Sequence, residues 1–396
     1  MRIIQISLLV AAAAMAAAQS APPAQPLAPS PWQMQDSGTK VSLRGIYAVD
    51  GNVAWAGGAR GTVLRTVDGG AHWQQCTVPD VEADGVMLDF RGVQAWDAQT
   101  AIVLASGPGD RSRLYKTTDG GINWDLLISN PDKDGFWDAL RMTSRDTGIL
   151  LGSAVKGAFE FEHHTIQRRP ANFPLLVTQN GGDSWRRIDE GSLYAKVDEA
   201  GNPVESVFAA SNSALLTIGS DFETLFITGG DISSLHHVRY PKGLVPMQCK
   251  GPCAVESETD STLAPGKTAG GFSLAANFDR PASPIVVAVG GDFNRPGASG
   301  GTAATCIFNM DSNVGDYRCR PSTTPPHGYR SSVQWSQALK AFVAVGPNGS
   351  DISRDNGETW QPLDDGNWNA LSLPFLVGPN GRIAKLNLAA FPPGKE

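Results

Sequence analysis

Thr66-Val67-Asp68-Gly69-Gly70-Ala71-His72-Trp73 decides the reading of this chain, because its spacing of Ser/Thr, Asp or Asn, Gly and Trp returns three more times. It recurs at Thr117, Asp119, Gly121 and Trp124, at Thr178, Asn180, Gly182 and Trp185, and at Ser353, Asp355, Gly357 and Trp360. Each position has a mechanical reason. The carboxylate or amide oxygen accepts backbone N–H groups inside a tight turn, and glycine takes a backbone conformation that other residues disfavour. The tryptophan opens the next strand and covers the seam beside it. A turn device repeated along a chain marks an array of similar units.

A second repeat runs through the whole chain: a small residue followed by an aliphatic one, expected at the start of each innermost strand. The series is Gly45-Ile46, Gly92-Val93, Ala139-Leu140, Ser206-Val207, Ser273-Leu274, Ser332-Val333 and Ala370-Leu371. These seven starts predict an all-β, seven-bladed β-propeller with Asp-box turns, its small residues placed where inner strands converge on a narrow channel. Second strands ending in glycine follow each start, among them Val53 to Gly57, Ile149 to Gly152 and Leu215 to Gly219. Two blades are expected to have lost the box. Thr228-Gly229-Gly230 keeps fragments of one, and Asp311 to Tyr317 carries an extra residue with Tyr in place of Trp. The last blade, Trp368 to Leu388, has room for three strands. Trp32-Gln33-Met34-Gln35-Asp36 resembles Trp360-Gln361-Pro362-Leu363-Asp364 and is expected to supply the fourth, so that the N-terminal strand closes the ring and leaves no open edge.

Composition agrees. With 44 glycines, 27 prolines and 10 tryptophans and no long helical periodicity, the chain suits many strands and tight turns. Residues 1–20, with Arg2 ahead of the apolar run Ile3 to Ala18, predict a secretory signal peptide, and 21–31 a Pro/Ala-rich linker. A single propeller domain is expected over 32–391 and a tail over 392–396. No later segment reaches the length of a membrane span. The net charge of −7, or −8 without Arg2, comes with no basic stripe and argues against nucleic acid. Export makes disulfides the expected state of the five cysteines. Cys249 and Cys253 bracket a turn, Cys306 and Cys319 flank a hairpin, and Cys76 is left over. No Cys/His quartet has zinc spacing, and neither a metal nor another cofactor is indicated.

Alternating strand direction puts the boxes on one face. The irregular segments Ser153 to Pro174, Arg186 to Val204, Pro241 to Gly271 and Gly290 to Ala304 are expected on the other. The residues just before the small positions, Arg44, Arg91, Asp138, Glu205, Phe272, Ser331 and Asn369, with Arg330 adjacent, then ring the channel mouth on that loop-rich face. They are the candidate binding site; the alternative is that they pair with one another around a water-filled channel. Glu160, Glu162, His163 and His164 read as a solvated hairpin extension rather than a metal site. Gly107-Pro108-Gly109-Asp110 and the Val-Gly-Pro-Asn-Gly segments at 345–349 and 377–381 read as strand connections, since no helix follows them to make a phosphate site.

The blade start Leu43-Arg44-Gly45-Ile46 and the Thr-x-Asp-Gly-Gly-x-x-Trp boxes resemble those of the photosystem II stability/assembly factor family and its bacterial relatives, over Trp32 to Leu388. The resemblance implies a non-catalytic assembly scaffold with an arginine-bearing face toward its partner, a role that Arg44 and Arg91 would inherit. The expectation is a monomeric periplasmic or secreted binding scaffold for an envelope or membrane protein, with a glycan as a second ligand class. The alternative is a sialidase-like glycoside hydrolase or lyase. Sialidase chemistry requires three arginines, a Tyr/Glu nucleophile pair and an acid/base Asp. Phe90-Arg91-Gly92-Val93 matches the sialidase Phe-Arg-Ile-Pro start only in part, and Asp138, Glu205 and Asp292 are the carboxylates that another hydrolase or lyase would use. No catalytic residue is assigned.

Overall fold

A run such as Ala101-Ile102-Val103-Leu104-Ala105, buried along its whole length, needs cover on both faces. A sheet standing between two other sheets provides it. The computed structural model describes residues 29–391 except 84, 157–158, 163–164, 169, 189–192, 219–222, 241–254, 280–283 and 310–315. Among the described residues the regular structure is β, apart from two 3-10 turns, and seven blades of four antiparallel strands surround one channel.

From the channel outward, blade one is Leu43–Ala48, Ala54–Gly58, Thr62–Thr66 and Gln74–Thr77. Blade two is Phe90–Ala95, Ala101–Ala105, Arg113–Thr117 and Asp125–Ser129. Blade three is Trp137–Met142, Gly148–Gly152, Leu175–Thr178 and Arg186–Arg187. Blade four is Leu215–Ile218, Glu223–Ile227, Ser234–Arg239 and Val255–Asp260. Blade five is Gly266–Asn277, Ile285–Asp292, Ala303–Asn309 and Asp316–Pro321. Two short strands, Gly229–Gly230 and Glu205–Ser206, extend its inner edge. Blade six is Ser332–Ser336, Ala341–Gly346, Gly349–Ser353 and Gln361–Asp364. Blade seven is Ala370–Ser372, Phe375–Val377 and Ile383–Leu386, with Trp32–Gln35 as its outermost strand.

The core is a set of seams between blades. Leu43, Ile46 and Leu64 of blade one pack with Phe375, Val377 and Ile383 of blade seven, and Trp55 and Val63 pack with Phe90, Val103 and Trp124 of blade two. Burying a side chain of this size contributes on the order of 1.5–3 kcal/mol. The box tryptophans work at these seams: Trp124 meets Trp55 edge-on at 6.1 Å and Trp73 meets Phe375 at 5.8 Å.

The four boxes share one hydrogen-bond plan. In the second, Thr117 Oγ1 donates to Asp119 Oδ1 at 2.9 Å and accepts Gly121 N–H at 3.0 Å, while Asn123 N–H donates to Asp119 Oδ1 at 2.9 Å. Gly70, Gly121, Gly182 and Gly357 all have φ between 84° and 93°, so glycine is needed there. The indoles of Trp124, Trp185 and Trp360 donate back to the box glycine carbonyls, whereas that of Trp73 donates to Gln35 Oε1 at 3.1 Å. Gln35 belongs to the closing strand. That strand pairs antiparallel with blade seven from Trp32 opposite Leu386 to Gln35 opposite Ile383, and Trp32 Nε1 also donates to Ser350 Oγ at 3.0 Å. Cys306 and Cys319 form the disulfide across their hairpin. Cys76 is buried and free, its thiol pushed up to about 11 by that burial. Cys249 and Cys253 lie outside the described residues.

Blade four corrects the expected register. Leu215–Ile218 is its innermost strand, not its second, and Ser206-Val207 does not begin the blade. Thr228-Gly229-Gly230 is no remnant of a box. It follows the second strand on the loop-rich face, and Gly229 and Gly230 pair with blade five. The expected inter-blade stretch 241–271 is not one loop: it contains the fourth strand, Val255–Asp260, and the start of the next inner strand, Gly266–Asn277, and its residues 241–254 lie outside the described residues. The insertion after Gly152 includes the hairpin Phe159–Glu162 with Thr165–Arg168. His163 and His164 lie outside the described residues.

Candidate functional site

In blades one, two, three and five the innermost strand carries one extra residue against its partner. Leu43 faces Gly58 and Gly45 faces Gly57, leaving Arg44 between. Register shifts likewise isolate Arg91, Asp138 and Phe272. A bulge bends the strand and re-aims the extra side chain. The small residue that follows is required by the next blade: a Cβ on Gly45 would lie 2.2 Å from Arg91 O. The feature read from the sequence as a small residue preceded by a polar one is therefore a bulge on a convergent strand.

The channel is closed from within by a segment that sequence reasoning missed. From Val207 to Ser213 the chain runs down the axis before entering blade four, held by polar contacts to blades two, three, five and six. Arg91 Nη1 donates to Ala209 O at 3.1 Å, Ser211 Oγ to Ser331 O at 3.0 Å, and Ser153 Oγ to Val207 O at 3.0 Å. Asn212 accepts Leu140 N–H at 2.7 Å and donates to Leu140 O at 2.6 Å. Leu274 N–H donates to Ser213 O at 2.8 Å. Ser213-Ala214, small then small and apolar just ahead of Leu215, was the available signal.

Above this plug, on the loop-rich face, lies a cavity of about 300 Å³. Arg44, Arg91 and Asn369 line it with Phe272 and Ser331, as expected; Phe208, Phe293 and Tyr329 complete the wall. Asp89 sits between the two arginines, 3.7 Å from Arg44 and 3.0 Å from Arg91. Two cations share one carboxylate, and side-chain exposures of 39% for Arg44 and 28% for Arg91 leave both guanidiniums reachable. The opposite wall is aromatic: Phe208 stacks on Phe272 at 4.4 Å, and Phe272 meets Tyr329 edge-on at 4.8 Å. Burial raises the Tyr329 hydroxyl far above its ordinary range, with Arg44 and Arg91 opposing the shift. Asn369 is fixed by donation to Leu43 O at 2.7 Å.

The other three expected mouth residues lie elsewhere. Asp138 is buried beneath the plug and accepts from Ser153 Oγ at 2.7 Å. Burial pushes its carboxyl well above the usual carboxylate range, against the bonds from Ser153. Arg330 is fully buried in blade six, with Nε on Asp351 Oδ2 at 2.5 Å and Nη1 on Asn348 Oδ1 at 2.7 Å; burial lowers its pKa against the pull of Asp351. Glu205 is buried where its short strand meets blade four, accepting from Thr228 Oγ1 at 2.9 Å and lying 3.1 Å from His236 Nε2. His236 also faces Glu256 at 2.7 Å through Nδ1. Burial works against the charged imidazole, yet the two carboxylates hold its pKa at about 9. The burial of Glu205 likewise opposes ionisation and is outweighed by His236, so its pKa is lowered.

Glu205, His236 and Glu258 group closely enough to hold a cation. Their ligand atoms are already paired, Glu258 with Lys196 and Ser234, so the donor set fits an imidazolium network better than a metal. Nor do the three carboxylates considered for glycan cleavage form a pair. Asp138 and Glu205 are each buried with partners of their own, Ser153 for the one and Thr228 and His236 for the other, and Asp292 is held by Thr268 and Arg295, both at 2.7 Å.

Residues 351–362 match the BNR/Asp-box repeat family. The chain is 25% identical over 195 residues to the photosystem II assembly lipoprotein Ycf48 of Synechococcus sp. strain CC9902, a match covering 48% of this chain and 47% of that protein. The chain thus spans about half the length of that relative. Among solved structures, Ycf48 bound to a D1 peptide superposes with a TM-score of 0.52 at 14% identity, covering 92% of this chain and 99% of that one. Ycf48 from Cyanidioschyzon merolae does so with a TM-score of 0.53 at 18% identity, covering 90% and 99%. With its four boxes and seven blades, the chain is a BNR-repeat β-propeller similar in fold to the photosystem II assembly factors.

Proposed function

We propose that this chain is a non-catalytic binding propeller that captures a peptide segment of a protein partner in the loop-face cavity. The observation that carries the reading is the cavity itself: Arg44 and Arg91, partly exposed and sharing one carboxylate, face an aromatic wall over a closed channel. Such a surface suits a peptide that brings a carboxylate and an apolar side chain, through charge-assisted hydrogen bonds and ring contacts. A Ycf48 structure described as bound to a D1 peptide supports the same reading by analogy of fold. The apolar run Ile3 to Ala18 and the Cys306–Cys319 disulfide favour export, so the partner is sought among envelope proteins.

The test is affinity capture from native envelope with wild type and with the Arg44→Ala/Arg91→Ala double variant. The expected result is one enriched membrane protein that the double variant loses while melting within a few degrees of wild type. Equal capture by both proteins, or enrichment of a polysaccharide instead, would overturn the proposal.

A further inference from the structure

Below the floor made by Ser211, Asn212 and Ser213 the inner strands enclose a second cavity, of about 370 Å³. It opens on the Asp-box face: Phe278 lines it, and the preceding Asn277 donates to Asn356 Oδ1 in the fourth box at 3.2 Å. Strand periodicity sets its wall, because residues two beyond each small position share its side of the strand. In five of the seven blades that residue is polar: Tyr47, Gln94, Arg141, Gln334 and Ser372.

Three of these five commit their acceptor oxygens to the next blade. Gln94 Oε1 takes Met142 N–H at 3.3 Å, Gln334 Oε1 takes Leu373 N–H at 2.6 Å, and Ser372 Oγ takes Ala48 N–H at 2.9 Å. What remains on these five residues is two side-chain amide groups and the Arg141 guanidinium, which can only donate, and the hydroxyls of Tyr47 and Ser372, which can also donate. Among the described residues the Arg141 side chain has no hydrogen-bond or ion-pair partner, and no Asp or Glu lines the cavity. A fixed positive charge without a counter-charge among the described residues, beside amide donors and the rings of Tyr47, Phe278 and Trp335, is complementary to an anion with a flat body. The volume lies in the range of small-molecule sites.

We propose that this box-face cavity binds a small aromatic or similarly flat carboxylate, with the carboxylate on Arg141 and the body against the rings. The site does not rest on the peptide-binding reading; the plug separates the two cavities, and either stands if the other fails.

The test uses the full chain, titrated by calorimetry with benzoate and with benzamide as a neutral control of the same shape. Benzoate is expected to bind saturably and benzamide not. Arg141→Gln should weaken benzoate about tenfold or more, the usual cost of losing a charge-assisted hydrogen bond. The Arg44→Ala/Arg91→Ala variant should bind benzoate as wild type does. Because the Arg141 side chain has no partner among the described residues, R141Q should melt with wild type; if it melts lower, Tyr47→Ala replaces it, and weaker benzoate binding then supports the site. Absence of saturable benzoate binding, equal affinity for benzamide, or an affinity unchanged in the substituted protein would overturn it.

Discussion

Asp119 illustrates how much one residue decides locally. Its carboxylate takes Asn123 N–H and side-chain bonds from Asn123 and Thr117, and the Asn123 backbone bond leads the forces that lower its pKa. Asp119→Ala removes the acceptor that holds the Asn123 N–H in the turn and should lower the melting temperature with the fold retained. His236 makes a different prediction. Its folded pKa of about 9 lies above the ordinary 6.5, so its contribution is complete below pH 6.5 and is lost as pH rises toward 9. Glu205 works in the opposite sense: its lowered pKa adds stability that disappears as pH falls through the carboxylate range. The melting temperature should therefore decline between pH 6.5 and 9, and His236→Gln should flatten that decline while lowering stability at pH 6. An identical slope in the variant would assign the decline to other groups.

The plug from Val207 to Ser213 is the element on which both cavities depend. Asn212 satisfies the N–H and C=O of Leu140 together, so Asn212→Ala strands both groups and should destabilise by roughly 2–4 kcal/mol, a loss measurable by denaturant unfolding. A substitution costing under about 0.5 kcal/mol would mean that water replaces the amide. This element also marks where the sequence stopped being legible. Gly45 and Gly92 were readable as blade starts because close approach of other parts of the chain excludes a Cβ there, and that exclusion is written into the residue itself as glycine. Ser206-Val207 and Ser213-Ala214 both satisfy the small-residue pattern, and the choice between them is made by distant partners, Leu140 and Leu274, which no window of sequence contains. The same error carried Glu205 to the mouth, whereas Arg44 and Arg91 were placed correctly because their blades were. Asp138 occupies the same bulge position as those arginines, but the plug covers it.

For the molecule as a whole, closure depends on four residues. Trp32–Gln35 supply the last strand of blade seven, and Gln35 reaches the first box through Gly69 O and the Trp73 indole. Removing 32–35 exposes the edge of Ile383–Leu386, with the expected result of a lower melting temperature and concentration-dependent association in sedimentation. A monodisperse protein of unchanged stability would show that the seams alone hold the ring. The pairing of Trp32 with Leu386 also imposes an order in time. The ribosome delivers Trp32 before every blade and Leu386 only after six of them, so the segment that completes the circle waits unpaired while the intervening blades are made. Ring closure is therefore a late, long-range event rather than a growing-chain one, and any machinery that handles this protein meets an open arc of blades first.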